Sequence, residues 1–581
     1  MMRNLASLTA LLVTLSCTLP PVNGDNNPVS LPVIGSFEGL PSSITSGQES
    51  TLQWTIDGAS SLFLDQGIGE VTGKQQIVNP NATTVYTITA TNSAGSVTAS
   101  TTIYVSVDAN TVVISIDANS IKNRNSKKLL GVSFDARSSL DMGTNGNVVS
   151  SGYHDPTTGN IITGVSAYWN EIPLMTMRYP GNAVLYNWNW KYTIGPLASR
   201  TAQVLAPNLS KTLAFGFDEF MTMIESRGLS SSEVQIMVNI YPIAGETSAA
   251  QSAADWVEYC NALNDGSNPG GGTDWAAKRP ANGHSGPYAI KIWNIGNEPW
   301  GPKEMNFDSA QYLLLAPTII DAMKRIDPTI KITLPAVGDE TSNWNQSLFN
   351  SADLSGKFYG LSPHIFYDED SNTGNPGILQ IEPKLTSLAS FAATKGIVII
   401  VGDHANDAPT SDPDEGFRWQ GALATADFLM MVSQIQNIDL ANFWIYGNPK
   451  GAWHPIRVNV DGSFTTMAVA QLYQNLLPVL LDQSVLASAA SAASAVVTGV
   501  RVSAFQSSDA LKINVVAVNI DLTQDLKIAP PQISGYELRA VKKLSGNLKD
   551  DQLTSSVVTI SSDGTYLLSK TSVLLFECVK I

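Results

Sequence analysis

Between residues 130 and 470, short apolar runs of β-forming residues alternate with longer helical stretches, and this alternation limits the fold more than any other feature. The runs fall at 235–240, 290–295, 331–334, 397–401 and 441–446. Helical patterns occupy 252–263, 309–325 and 421–436 between them. Strand–helix alternation specifies a parallel sheet, and roughly 340 residues suit a (β/α)8 barrel, the TIM barrel, with loop insertions. In such a barrel the chemistry belongs to residues just past each strand's C-terminal end.

The flanks read differently, so the chain is multidomain. From about 475 the helical rhythm stops, and 511–519, 556–560 and 572–579 read as strands. An earlier strand at 112–118 is expected to join them, so 112–129 plus 471–581 form a C-terminal β-sandwich. Residues 32–107 carry short Thr-rich strands at sandwich spacing, with Trp54 placed as an inner-sheet tryptophan. Tyr86 resembles the tyrosine of an immunoglobulin-like corner, without a cysteine two residues on. The segment resembles the cysteine-free Ig-like modules of bacterial exported proteins, an Ig-like β-sandwich. Gly67-Ile68-Gly69 reads as a hairpin turn, because no helix follows it.

Arg3, an apolar run over 5–15 and then Pro20, Pro21 and Gly24 describe a secretory signal peptide over 1–24. The run is shorter than the ~20 residues a spanning helix needs, and no later stretch qualifies, so no transmembrane helix is expected. The expectation is a secreted or cell-surface protein, with Cys17 as a lipoprotein attachment point or simply part of the removed segment. Cys260 and Cys578 read as buried thiols, with one bridge between them as the alternative.

The 34 Lys and Arg stand against 50 Asp and Glu, a net charge of −16, with no basic cluster. Nucleic acid and anionic membrane surfaces are therefore poor partners, and no nucleic acid is expected. A neutral polysaccharide or oligosaccharide suits such a surface, and 12 Trp and 17 Tyr supply stacking faces beyond those the core takes. The five histidines show no His-Glu-x-x-His spacing, and there is no Gly-x-Ser-x-Gly elbow or phosphate-binding loop. Asp412, Asp414 and Glu415 read as a solvated loop rather than a calcium site. No metal or cofactor is expected, and oligomeric state is left open.

The sharpest motif is Trp293-Asn294-Ile295-Gly296-Asn297-Glu298-Pro299-Trp300-Gly301, a strand ending in Gly-Asn-Glu. A carboxyl there is placed for proton transfer, and the adjacent Asn for a sugar hydroxyl. A second block runs Met177-Arg178-Tyr179-Pro180-Gly181-Asn182, then Tyr186-Asn187-Trp188-Asn189-Trp190, Ile194-Gly195-Pro196 and Arg200. It resembles the Arg-Phe-Pro-Gly-Gly-Asn … Tyr-x-Trp … Ile-Gly-Pro … Arg block of glycoside hydrolase family 51, the α-L-arabinofuranosidases and related endoglucanases. Trp256-Val257-Glu258-Tyr259-Cys260-Asn261 and Ser362-Pro363-His364-Ile365-Phe366-Tyr367 resemble two further blocks of that family. The likeness runs from about 112 to 581.

The resemblance implies a retaining mechanism with two carboxylates. Glu298 matches the general acid/base. Arg178 would hold the nucleophile ionised, or form a structural ion pair. Asn182 and Asn297 match sugar-contacting residues, and His364 and Tyr367 match residues lining the reacting sugar. Trp444 is a sugar platform or a core tryptophan. The sequence departs from the family where the nucleophilic Glu should stand: Gly402-Asp403-His404 occupies the place. Only a carboxylate forms a glycosyl ester, which selects Asp403. Its side chain is one methylene short, so an Asp nucleophile, an altered mechanism and a weakened catalyst all remain open. Asp368, Glu369 and Asp370 are substitutes or a solvated loop. The implied activity is arabinofuranoside hydrolysis first and endo-β-1,4-glucanase or xylanase action second, with a glycan-binding protein on a decayed scaffold as the reading from another class.

Overall fold

The computed structural model describes residues 29–581 except 47, 107, 137–153, 155–157, 162–163, 182–187, 207–208, 244, 302–305, 369–374, 408–411, 413, 445–454, 460–462 and 494. The segment read as a signal peptide, with Cys17, lies outside the described residues. The chain divides into two compact units, Met1–Ser106 and Val107–Ile581.

The first unit holds two β-sheets. Val33–Leu40, Ser50–Asp57 and Gln75–Val78 form one, and Ser43–Thr45, Gly95–Ser106, Thr84–Asn92, Ser61–Leu64 and Gly69–Val71 form the other. Period-2 alternation sends Leu52, Trp54, Tyr86, Ile88 and Ile103 into a shared core and leaves the Thr and Ser between them outward. Gly67 and Gly69, both with positive φ, turn the hairpin between Ser61–Leu64 and Gly69–Val71, as the sequence indicates.

The second unit contains a closed eight-stranded parallel barrel. Its strands are β1 (Gly131–Ser133), β2 (Met177–Tyr179), β3 (Val234–Val238), β4 (Ile292–Ile295), β5 (Lys331–Ala336), β6 (Gly360–Tyr367), β7 (Val398–Asn406) and β8 (Ile438–Phe443). They lie covered on both faces, which is why their sequences are continuous apolar runs. Among the helices outside them are α1 (Phe217–Ser226), α2 (Ala249–Asn261), α3 (Ser309–Ile326), α4 (Ile378–Thr394) and α5 (Trp419–Gln434). Local chemistry sets the helix starts: the Ser248 hydroxyl accepts from Gln251 N before α2, and Asp308 and Gln311 form a reciprocal capping box before α3. No helix among the described residues is long and apolar enough to cross a membrane.

The barrel interior is partly polar. Thr176 Oγ1 donates to Asn442 Oδ1 at 2.8 Å, and Asn442 Nδ2 reaches Gln235 Oε1 at 3.4 Å. Gln235 Nε2 then donates to Thr333 Oγ1 at 3.2 Å, and Thr333 Oγ1 donates to Asn294 Oδ1 at 2.8 Å. All five side chains are buried, so each depends on its neighbours to replace water.

The C-terminal β region is one continuous nine-stranded sheet. Thr111–Asn123 joins it antiparallel to Gln483–Ser491, as the sequence indicates, although the strand is longer than 112–118. The strand expected at 556–560 is instead Thr554–Val557, exposed throughout. In Lys512–Asn519, Ile513, Val515 and Ala517 enter the sheet's own core, while Val516 and Val518 join the main core that includes α5. Both faces are covered, which accounts for that unbroken apolar run. Cys260 and Cys578 are buried free thiols.

Asn442→Ala leaves the Thr176 hydroxyl and Gln235 amide short of partners in a dry interior. Urea denaturation should show a loss of roughly 1–3 kcal/mol, the usual cost of an unsatisfied buried polar group.

Candidate active site

The loop-bearing end of the barrel gathers Arg178, Asn297, Glu298, His364 and Asp403 around one point. Each is delivered by a strand end. In β2, Met177 and Tyr179 face the outer layer, where Tyr179 stacks on Phe220 of α1 at 4.2 Å between centroids. The residue between them, Arg178, therefore points into the barrel and is fully buried.

Beyond β4 the chain kinks through Gly296, at φ +87°, and Glu298 itself adopts φ +39°. A non-glycine residue in the left-handed region carries backbone strain, which collects at functional sites. Asn297 is buried and accepts a 2.5 Å hydrogen bond on Oδ1 from Arg178 Nη2. The same Arg178 donates through Nη1 to Asp403 Oδ2 at 2.8 Å. Its Nη2 also lies 3.0 Å from His364 Nε2.

Because a guanidinium only donates, this last contact makes His364 Nε2 an acceptor. The ring proton then resides on Nδ1, which donates to Glu298 Oε1 at 2.7 Å. Asp403 Oδ2 lies 3.4 Å from that same Nδ1. Two carboxylate oxygens so close to one nitrogen are at most about 6 Å apart, so both carboxyls share one small space.

Burial pushes the Glu298 carboxyl up, but the His364 charge and hydrogen bond and the Arg178 charge outweigh it, so the group sits below its ordinary value. Asp403 is buried, and its Oδ1 has no hydrogen-bond partner among the described residues. One carboxylate oxygen is anchored and the other is left for an incoming group.

The next residue, His404, faces the opposite way. It stacks on Phe428 of α5 at 4.6 Å, and burial drives its pKa down to about 3. Asp403, not His404, is thus the residue aimed into the barrel.

Tyr367 is a correction. It is buried in the outer layer, stacked on Phe428 and donating to Thr425 Oγ1, and does not line the site. Strand alternation places Phe366, not Tyr367, on the His364 face. Asn182 lies outside the described residues, as do Glu369 and Asp370. Trp444 follows β8 half-buried, its backbone N–H donating to His404 O at 2.8 Å. Asp368 is buried just past β6.

The motif tryptophans Trp188, Trp190, Trp256 and Trp293 pack on one another as core. Asp412 and Asp414 are not a free acidic loop, because Arg418 and Arg457 pair with them and with Asp551. Asp135, just past β1, escaped the sequence reading. It is buried, and its charge acts on Arg178. Its only signal is an acid following a three-residue strand. No group of three or more His, Cys, Asp and Glu among the described residues is placed to hold a metal ion.

Comparison with known proteins follows the same lines. The family described as alpha-L-arabinofuranosidase 1 domain matches residues 170–373, a stretch that includes Arg178, Glu298 and His364 but ends before Asp403. Probable alpha-L-arabinofuranosidase C of Aspergillus clavatus is 31% identical over 209 residues, 34% of this chain and 38% of that protein. The intracellular exo-alpha-(1->5)-L-arabinofuranosidase 1 of Bacillus subtilis is 29% identical over 218 residues, 36% of this chain and 40% of that protein. The matched stretch thus spans less than half the length of these relatives. Among solved structures, the alpha-L-arabinofuranosidase of Thermotoga maritima in its arabinose complex aligns with TM-score 0.64 at 20% identity, over 81% of this chain and all of that one. A family 51 alpha-L-arabinofuranosidase from Bifidobacterium longum aligns at TM-score 0.64 and 17% identity, over 80% of this chain and 99% of that one.

The buried histidine generates a stability prediction. His404 is neutral in the fold, so below its ordinary value of 6.5 the unfolded chain binds a proton that the folded chain refuses. Stability is therefore lost as pH falls from 6.5 toward about 3. Urea midpoints at pH 7 and pH 4.5 should differ less in His404→Phe than in the wild type, by the equivalent of roughly 2–3 kcal/mol. His154, also lowered to about 3, keeps part of the slope in the variant.

The barrel thus brings a buried Arg–Asp pair, an Asn-Glu corner and a bridging histidine together at one mouth, in a chain similar over 170–373 to the alpha-L-arabinofuranosidase 1 domain and sharing its fold with solved arabinofuranosidases over four fifths of its length.

Proposed function

We propose that the protein is an exported α-L-arabinofuranosidase that removes arabinofuranosyl side chains from plant-type polysaccharide by a retaining mechanism. The observation that carries the reading is the placement of Glu298 and Asp403 at two strand ends, each with an oxygen within reach of His364 Nδ1. That spacing suits the roughly 5–5.5 Å geometry of retaining glycosidases, even though Asp403 is a methylene shorter than Glu.

In this mechanism Asp403 Oδ1 attacks the anomeric carbon while Oδ2 stays on Arg178. The glycosidic C–O bond breaks, and Glu298, in the minor fraction of enzyme that holds it protonated, gives that proton to the departing oxygen. A water then attacks the glycosyl ester, Glu298 takes up the water's proton, and the ester bond returns its electrons to Asp403. Arg178 and Asn297 keep the pocket polar and preorganised where charge develops. The N-terminal segment serves export, and the two-sheet unit serves as an Ig-like spacing module. N-terminal sequencing of the protein recovered outside the cell would report the cleavage site, and full-length protein held in the cytoplasm would contradict export.

Purified residues 25–581 should release sugar from an aryl arabinofuranoside, arabinan or arabinoxylan, and Glu298→Gln should lose turnover by at least roughly 100-fold. Cleavage of xylan or β-1,4-glucan alone would reassign the substrate to the polysaccharide backbone. Retained glycan affinity with no release from the wild type would favour a binding protein.

His364→Phe removes a hydrogen bond that holds Glu298 down, while burial still pushes it up. The alkaline limb of the kcat/KM profile should therefore move to higher pH. An unmoved limb would mean that His364 does not set the acid's ionisation.

A further inference from the structure

We infer that Gly402 is a positioning residue, the doubled position of a β-bulge that turns Asp403 into the barrel mouth. The inference rests on the retaining reading above. Register shows the bulge from both sides of β7. Against β6, Leu361 pairs with Ile399 and His364 with Asp403, so three steps on β6 meet four on β7. Against β8, Val401 pairs with Ala441 and His404 with Phe443, so three steps on β7 meet two on β8. One extra residue therefore sits in β7 relative to β6 over 399–403 and relative to β8 over 401–404, just ahead of the reacting carboxylate; against β8 it cancels an opposite one-residue shift between the Ile399–Ile438 and Ile400–Leu440 pairs. Bulges re-aim side chains in this way beside functional sites.

The side-chain directions agree. Ile400 packs inside the barrel with Ile292 and Leu440, and Val401 joins the main core. A Cβ built on Gly402 would overlap Ser362 Oγ and stand 3.0 Å from both Cδ2 and Nε2 of His364, so position 402 faces the site. Asp403 faces it too, on Arg178, while His404 faces out against Phe428. Two consecutive inward positions are what the bulge provides. Strict alternation from Gly402 would aim Asp403 into the helix layer and His404 at the substrate.

The absence of a side chain at 402 has a second effect. It lets the His364 ring lie flush against β7, where Nε2 meets Arg178 and Nδ1 meets Glu298. Any Cβ at 402 pushes on that ring or on the Ser362 hydroxyl, and so on both carboxylates together.

The test uses an arabinofuranose-configured cyclitol epoxide. Asp403 opens the strained C–O bond to form an ester, and Glu298 protonates the released oxygen. Peptide mapping then locates the ester. The wild type should be labelled on Asp403, and Gly402→Ala should be labelled at least roughly 100-fold more slowly, the cost of a misplacement near 1 Å. Azide should restore 4-nitrophenyl arabinofuranoside cleavage to Gly402→Ala and Asp403→Ala alike, because azide takes the nucleophile's place and nitrophenolate leaves without help from the acid. A generally damaged barrel gains nothing from azide. Should Gly402→Ala fail to fold, Ser362→Ala/Gly402→Ala, which removes the overlapping hydroxyl, takes its place.

Equal labelling rates in wild type and variant would overturn the role of Gly402 and leave the functional reading standing. Label on another carboxylate would overturn Asp403 as the aimed group, and the bulge's purpose with it. No label on the wild type would sink the functional reading. The inference is then decided by the imidazole 15N shifts of His364, which Gly402→Ala must move and which overturn it if unchanged.

Discussion

The buried pair of Arg178 and Asp403 is the interaction on which the rest of the site depends. Neither group reaches water to any useful extent, so each needs the other to offset its lost hydration. Removing one partner of such a pair typically costs about 3–5 kcal/mol, because the other is left as an uncompensated buried charge. Arg178 Nη2 serves both Asn297 and His364, so one cation ties three strand ends to β2. This accounts for an arginine rather than a lysine at 178: a planar fork can serve several acceptors in fixed directions, and a single ammonium cannot.

The barrel makes that arrangement affordable by rigidity rather than by strength of contact. Beneath the site, Thr176, Asn442, Gln235, Thr333 and Asn294 link strands through hydrogen bonds across the interior. Outside it, an aromatic cluster around Trp256 holds α1 and α2 against the strands. The site residues therefore sit on elements whose positions are determined from both faces. The strained turn at Gly296 and Glu298 and the bulge at Gly402 are departures from regular geometry, and both fall at the mouth. Irregular backbone is retained where a side chain must be re-aimed.

Much of this was legible in the sequence. The alternation of apolar runs and helices specified a parallel barrel, and Gly-Asn-Glu at the end of β4 marked Glu298. Arg178 was legible only through the resemblance of its motif block, and its inward direction between Met177 and Tyr179 came from the structure. The resemblance left Asp403 and His404 at the place, and Asp403 was selected because an ester needs a carboxylate. A one-residue bulge has no periodic signature, so the reason for Asp403 appears only in the register. Tyr367 was misplaced by reading a motif as a block; counting by twos from His364 lands on Phe366. That a strand at 112–118 joins the C-terminal strands was legible, but its place inside one continuous nine-stranded sheet, beside Gln483–Ser491, rests on pairings hundreds of residues apart that local pattern does not encode.

The measurement that bears most directly on this account is the anomeric configuration of the first product, followed by proton NMR as an aryl α-L-arabinofuranoside is cleaved. Two carboxylates this close, with Asp403 forming an ester, predict α-L-arabinofuranose first, with the β anomer growing in only by mutarotation. Initial release of the β anomer would show direct attack by water and would contradict Asp403 as the nucleophile.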